Sequence, residues 1–291
     1  MDHDTCVGSS VPIIKLNRNQ LRNLTPPESL EFTQAYATTQ EWSSYSDEDH
    51  EVWKILHDRR MSDLERTGSR TYLEGAQWIG LSGTSVPDLR RVNERLAHRT
   101  GWTAMPVTGF IPSQDFFRCL ALRQFPTTVT VRPMDQLDYL PEPDIFHDVF
   151  GHVPLHADPA FAEFLQTFGE VASLAKSPEQ MTQMARLFWF TVEFGLIEEN
   201  GETRIYGSGL ISSSGDATNA LSLGCVRRPF NLDHVIDQPF EIDRLQDSLF
   251  VAESFEQIVD AVAEMRGRLS GGSGARLFGL GSFMDKLKDT P

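Results

Sequence analysis

A chain of 291 residues with 40% hydrophobic and 23% charged side chains can bury a substantial core as one large domain, and nothing in that balance argues for overall disorder. The formal net charge of -15 gives no electrostatic basis for holding a polyanion, so nucleic acid and anionic membrane surfaces are poor partners and the acidity serves solubility. The cysteines Cys6, Cys119 and Cys225 are far apart without C-x-x-C spacing, the start has neither a basic run nor an apolar h-region, and no uninterrupted apolar segment reaches about eighteen residues. Reduced thiols, no export, no membrane span and a cytoplasmic location are expected.

Residues 1–39 mix Pro, Thr, Asn and Gln without sustained periodicity and read as an extended, partly disordered arm. From Asp47 to Leu64 the apolar residues Val52, Ile55, Leu56 and Met61 mark a helical face, and His50 and His57 on this helix suit surface or capping positions. A second helix is expected from Pro87 to His98, carrying Leu89, Val92 and Leu96 and ended by Gly101. Met105 to Cys119, punctuated by two prolines and a glycine, reads as a loop. Pro126 to Arg132 is β-branched and alternating, a short strand that ends on Arg132.

The chain then reaches Pro143-Asp144-Ile145-Phe146-His147-Asp148-Val149-Phe150-Gly151-His152, two imidazoles five residues apart in apolar surroundings. At helical spacing such a step leaves side chains ~140° apart, so the backbone must deform for both rings to meet one ligand. Gly151 is the residue that most readily permits a π-bulge or a local break. Two neutral imidazoles make a weak metal site. A third donor appears in Leu187-Phe188-Trp189-Phe190-Thr191-Val192-Glu193-Phe194-Gly195-Leu196, where Glu193 is the only charge. A lone buried carboxylate is costly unless paired or protonated, and this stretch offers no Lys or Arg, so a metal is the economical partner. Two His and one carboxylate, with no obvious fourth ligand, form the facial set that leaves positions open on non-heme Fe(II) for oxygen chemistry.

Between these motifs, Asp158-Pro159 opens a helix with Phe161, Phe164, Leu165 and Phe168 as a core stripe, while His156 reads as a solvent-facing loop histidine. Ser177 to Gln180 fits a capping box that starts the helix delivering Glu193. Glu198 to Gly201 is a turn, Thr203 to Tyr206 a strand, and Gly207 to Ser213 is too irregular for a phosphate loop. A second capping box, Ser254 to Gln257, begins a last helix with Phe255, Ile258, Val259, Val262 and Met265 on one side. The expected fold is mainly α with short β-strands: an arm over 1–39, a catalytic domain over 40–267 and a Gly/Ser-rich tail over 268–291.

The motifs PEPDIFHDVFGHVPL, FWFTVEFGL and IYGSGLISS, in that order, resemble the catalytic domain of the pterin-dependent aromatic amino acid hydroxylases, most closely the compact bacterial phenylalanine 4-hydroxylases, from about Tyr45 to about Arg266. The resemblance implies helices around a mononuclear Fe(II) held by His147, His152 and Glu193, with tetrahydropterin (tetrahydrobiopterin or a related pterin) as cofactor and O2 as co-substrate. It implies that the segment read as a loop holds the pterin, with Phe116 stacking on it, Ile111 and Ser113 near it, and Asp148 in contact through water. It further implies a substrate pocket of Arg132, Leu140, Pro143, Asp144, Trp189, Phe194, Gly209 and Ser212. In that pocket Arg132 binds the α-carboxylate, Asp144 holds Arg132, and Ser212 bonds to His147. Read without the family, Phe116 is a core aromatic and Arg132 to Asp144 a structural salt bridge.

Three positions depart from the animal enzymes: Asp148 replaces a glutamate, Phe188 a tyrosine, and Leu140 a threonine of the phenylalanine enzyme. Trp189 and Ile242 resemble the phenylalanine-hydroxylating branch, so the reaction implied is phenylalanine to tyrosine. Tryptophan, another ring position, or a non-catalytic amino acid or pterin sensor are the alternatives. A zinc hydrolase is disfavoured because the five-residue step and Asp148 do not match H-E-x-x-H. The resemblance also implies a pterin-recycling dehydratase and reductase as partners. It implies a monomer as well, because the regulatory domain and tetramerising helix of the animal enzymes have no counterpart in this sequence.

Overall fold

The computed structural model describes residues 35–109, 111–138, 143–242 and 244–271. Most of the expected arm and tail, and Leu140 of the expected pocket, lie outside them. Helix α1 (Asp47–Thr67) starts at a capping box: Ser46 Oγ accepts from Asp49 N at 3.2 Å and Ser46 N donates to Asp49 Oδ2 at 2.8 Å. It buries Val52, Trp53, Leu56, Arg60 and Leu64. Helix α2 (Arg70–Ile79), not anticipated from the sequence, ends on Gly80 in the left-handed conformation, and α3 (Leu89–Arg99) starts after Pro87 because Asp88 caps it.

The segment expected to be a loop is instead ordered. Strand β1 (Thr103–Val107) runs into helix α4 (Ser113–Ala121), and β2 (Gln124–Thr128) returns parallel to β1, so the three form one βαβ unit. Pro106 and Pro112 misled the reading; β1 is an edge strand of a two-stranded sheet, where a missing N–H is tolerated, and Pro112 occupies the N-cap position of α4. Strand β2 also begins earlier than expected and stops at Thr128, whose N–H donates to Asp148 Oδ2 at 2.7 Å. Arg132 therefore lies beyond the strand. Ala37 bridges to Val107, so the end of the expected arm packs on β1.

A π-helical turn (Phe146–His152) and a 3-10 turn (Val153–Ala157) lead into α5 (Pro159–Ala172), capped by Asp158. Helix α6 (Pro178–Phe188) continues into a second π-turn (Trp189–Glu193). Strands β3 (Leu196–Glu199) and β4 (Glu202–Ile205) form a hairpin, followed by α7 (Ser208–Ser212), α8 (Ser214–Leu221), β5 (Val226–Pro229), α9 (Leu232–Asp237), β6 (Ser248–Ala252) and α10 (Phe255–Leu269). The second sheet has the order β4-β3-β6-β5, antiparallel only between β3 and β4. Helix α10 runs past residue 267, into the segment read as tail. At α6 and α10 the serine caps form, but the glutamine side chains accept from Lys176 N (2.7 Å) and Glu253 N (2.9 Å), one residue before the position a capping box requires.

The helix-rich fold with short strands is the one expected. Its core includes Trp53, Trp102, Phe146, Phe150, Phe168 and Phe190, and no helix among the described residues is long and apolar enough to cross a membrane. Helix α2 seats the 3-10 turn through Gly75, where an added Cβ would stand 2.0 Å from Pro154 O and 2.7 Å from its carbonyl carbon. Gly75→Ala is expected to cost ~1–3 kcal/mol by forcing these backbones apart. Gly267→Ala, whose Cβ meets nothing within 4 Å, is expected to be neutral or to stabilise by up to about 1 kcal/mol. Urea unfolding midpoints of the two variants, compared with wild type, check both.

Candidate metal centre and its pocket

The π-turn solves the spacing problem posed by the sequence. Its hydrogen bonds reach five residues along the chain, so His147 and His152 return to one side, with ring centroids 5.1 Å apart and planes at 86°. Gly151 acts here by close approach: an added Cβ would lie 3.0 Å from Ser208 O and 3.1 Å from Ser208 Cβ, so its absence lets α7 pack on the turn. The second π-turn delivers Glu193 opposite. Glu193 Oε1 is 3.2 Å from His152 Nε2 and Oε2 is 3.7 Å from His147 Nε2. One donor atom from each of the three residues lies within 4.8 Å of the others, and among the described residues no fourth His, Cys, Asp or Glu joins them.

Burial would push the Glu193 carboxyl up, but His152, His147 and the Ser208 hydroxyl outweigh it and hold it down at about 2. Burial brings His147 down to about 4 even against the attraction of Glu193. A carboxylate and a neutral imidazole are the forms a cation requires.

Helix α7 sets the ring orientation. Ser212 Oγ donates its single proton to Ser208 O at 2.8 Å, so in its 2.9 Å contact with His147 Nδ1 it is the acceptor. The proton of His147 therefore sits on Nδ1, and Nε2 presents its lone pair toward Glu193 and His152. Two residues that the sequence reading did not single out support this helix. Arg60, buried on α1, donates through Nε to Ile211 O at 2.8 Å and through Nη2 to Leu210 O at 3.1 Å. Ser208 Oγ lies 2.8 Å from Glu193 Oε2.

The residues expected around a pterin lie on the βαβ side. Phe116 meets Phe125 and Phe188 edge-on at 5.8 and 5.4 Å, and Phe125 lies 4.5 Å from the His152 ring, so Phe116 stands one aromatic ring away from the centre. Ile111 is buried in a small cluster with Met105, Val107 and Cys119, and Ser113 Oγ is buried with no hydrogen-bond partner among the described residues. Asp148 Oδ2 accepts from Thr128 N (2.7 Å) and Thr128 Oγ1 (2.8 Å); burial nevertheless raises its carboxyl to about 7.

On the other side Trp189 is sandwiched between Phe240 (4.3 Å, 14°) and Phe194 (4.6 Å, 30°), its Nε1 without a partner among the described residues. An added Cβ on Gly209 would come within 3.0 Å of the Phe194 ring. Half-buried Pro143 precedes Asp144, whose carboxylate takes Arg132 Nε on Oδ2 and Arg132 Nη2 on Oδ1, both at 2.9 Å, and His147 N on Oδ1 at 3.0 Å. Asp144 thus ties the arginine to the backbone of the first histidine. His156, expected to face solvent, is instead buried. Its ring stacks on Trp102 at 4.7 Å and lies 4.9 Å from Phe125, and burial pulls it well below the usual imidazole range, so it is a neutral core histidine.

The nitrogen, nitrogen, carboxylate donor set fits a divalent cation such as Fe(II), and the buried, unpartnered Ser113 hydroxyl near Phe116 fits a polar heteroaromatic guest. Two histidines and one glutamate converging inside a helix-rich domain, without a closing fourth ligand among the described residues, define a mononuclear metalloenzyme that keeps coordination positions open. The chain belongs to the biopterin-dependent aromatic amino acid hydroxylases, whose family model matches residues 28–270. It is 40% identical to the phenylalanine-4-hydroxylase of Chromobacterium violaceum over 220 residues, covering 75% of this chain and 74% of that one. The crystal structure of the C. violaceum enzyme with iron(III) and 7,8-dihydrobiopterin matches with a TM-score of 0.76 at 39% identity, covering 82% of this chain and 88% of that one. Its iron- and phenylalanine-bound form matches at 0.74 and 37%, covering 82% and 88%.

Proposed function

We propose that this protein hydroxylates L-phenylalanine to L-tyrosine, using dioxygen and a tetrahydropterin at an Fe(II) held by His147, His152 and Glu193. The observation that carries the reading is the three-donor set with no fourth ligand among the described residues. Iron and a reduced pterin, when bound, would supply the redox chemistry: the pterin gives two electrons, one atom of dioxygen enters the ring and the other leaves with the oxidised pterin, ending as water. The chain's own residues position the reactants and exclude water. Ser212 holds the His147 ring, the Phe116 side of the pocket offers the pterin an aromatic surface, and Trp189 with Phe194 and Gly209 forms the substrate wall. Arg132, with Asp144 fixing its orientation, meets the α-carboxylate.

Phenylalanine is favoured over tryptophan because the related C. violaceum enzyme is a phenylalanine-4-hydroxylase solved with phenylalanine. An apolar contact discriminates by only ~1–3 kcal/mol, so weak turnover of tryptophan is expected as well. The buried, unpaired thiols of Cys119 and Cys225 support a reducing, cytoplasmic setting. We further propose one catalytic unit spanning about residues 40–267 together with the end of α10, acting as a monomer alongside a dehydratase and a reductase that return the oxidised pterin.

The test is aerobic incubation of Fe(II)-loaded protein with a reduced tetrahydropterin and, separately, phenylalanine, tryptophan and tyrosine, with products identified by chromatography and mass. Tyrosine formed from phenylalanine, faster than any product from the other two, is the expected result. Pterin or amino acid binding with no hydroxylated product from any of the three would instead make the protein a sensor.

A further inference from the structure

The turn that joins β1 to α4 carries Ile111 and leads straight into Ser113 and Phe116, yet little of the fold holds it. Among the described residues Thr108, Gly109 and Ile111 make no backbone–backbone hydrogen bond. The chain just before α1 braces this turn from outside. Thr38 N donates to Pro106 O at 2.9 Å and Ala37 bridges antiparallel to Val107, so these two residues lie along the edge of β1 that β2 leaves open. One residue earlier, the Tyr36 ring packs, as Phe116 does, on the cluster of Met105, Val107, Ile111 and Cys119, and its hydroxyl donates to Asp115 Oδ2 at 2.5 Å. Asp115 lies in the first turn of α4, and its Oδ1 accepts from Arg118 Nη1 at 3.4 Å. Tyr36 thus spans the unsupported turn, from the cluster under Ile111 to the helix that carries Ser113 and Phe116.

We infer that Tyr36 and Asp115 are positioning residues for the pterin: their hydrogen bond straps the turn between β1 and α4 and holds Ile111, Ser113 and Phe116 in the places from which they meet it. The inference rests on the pterin reading of that side of the pocket. A turn without backbone bonds has conformational freedom to lose, and a guest that had to order it would bind more weakly by that cost; the strap removes the cost beforehand. A carboxylate acceptor makes the bond stronger than one between neutral groups. A latch that served stability alone would leave pterin affinity untouched when broken.

Tyr36→Phe removes one oxygen and keeps the ring, Asp115→Ala breaks the same bond from the helix, and the double variant closes a cycle. Binding of 7,8-dihydrobiopterin to the Fe(II)-loaded protein, measured anaerobically by calorimetry, reads the effect without turnover. Each single variant is expected to weaken binding on the order of fivefold, the equivalent of ~1 kcal/mol, and the double variant no further than the weaker-binding single. KM for the tetrahydropterin is expected to rise in step, while KM for phenylalanine does not follow. Unchanged dihydrobiopterin affinity in Tyr36→Phe, or losses that simply add in the double variant, would overturn the inference; should the Asp115 variants not fold, Tyr36→Phe decides alone. If wild-type protein binds no dihydrobiopterin, the proposed reaction fails and the strap with it. If affinity shifts in the variants but no amino acid is hydroxylated, the reaction fails while the role of Tyr36 and Asp115 stands.

Discussion

Glu193→Gln is expected to abolish Fe(II)-dependent stabilisation and to lower hydroxylation by on the order of 10³-fold or more, since the metal contributes several kcal/mol to the transition state. Glutamine keeps the volume of the side chain and can still accept from Ser208, so the packing between the two π-turns survives. What disappears is the only anion among the three donors. Metal-free protein also loses stability, because its neighbours hold the folded carboxyl below the usual carboxylate range, at about 2. The sign follows from the depressed value: this contribution is present above pH ~4.5 and fades as pH falls toward about 2. Anaerobic thermal unfolding with and without Fe(II), with metal analysis, measures both effects. Ligand at a hundred times its dissociation constant stabilises by ~2.7 kcal/mol, a rise that wild type should show and Glu193→Gln should not. A variant that still gains this stabilisation would remove Glu193 from the ligand set.

That two histidines five residues apart need a deformed backbone was legible from helix geometry alone, and the π-turn over Phe146–His152 is that deformation. Lone Glu193 was equally legible, because a charge in an apolar run demands a partner wherever the chain goes. Other features depended on contacts that no local pattern encodes. Arg60 supports α7 from 150 residues away in sequence, and on α1 it looks like any basic side chain on a helix. Ser208 sits among small residues that read only as too irregular for a phosphate loop, and its contact to Glu193 arises only when the second π-turn brings the carboxylate against it. His156 was misread because its surroundings, Trp102 and Phe125, come from the βαβ unit rather than from its own segment. That unit was itself hidden by Pro106 and Pro112; the first lies in an edge strand and the second occupies the N-cap position of α4.

Arg132→Lys is expected to lower kcat/KM for phenylalanine by on the order of 10²-fold, mainly through KM, while leaving metal binding intact. The guanidinium has five N–H groups, of which Nε–H and one on Nη2 go to Asp144 and one on Nη1 goes to Leu137 O at 3.3 Å. Among the described residues, one N–H on each of Nη1 and Nη2 takes no partner. The structural salt bridge and the carboxylate clamp are therefore not competing readings, since one edge of the same planar group can serve Asp144 while the other serves the substrate. Lysine carries the charge but not the second edge, so it must leave either Asp144 or the substrate. Asp144→Asn probes the first edge. With both side chains nearly buried, removing the carboxylate leaves a guanidinium without its counter-charge, at an expected cost of ~3–5 kcal/mol in stability. Because Asp144 also accepts from His147 N at 3.0 Å, this variant should weaken Fe(II) binding as well, which Arg132→Lys should not. Calorimetric unfolding together with steady-state kinetics and metal titration distinguishes the two. If Arg132→Lys leaves KM for phenylalanine unchanged while lowering stability, the arginine is structural only and the α-carboxylate is held elsewhere.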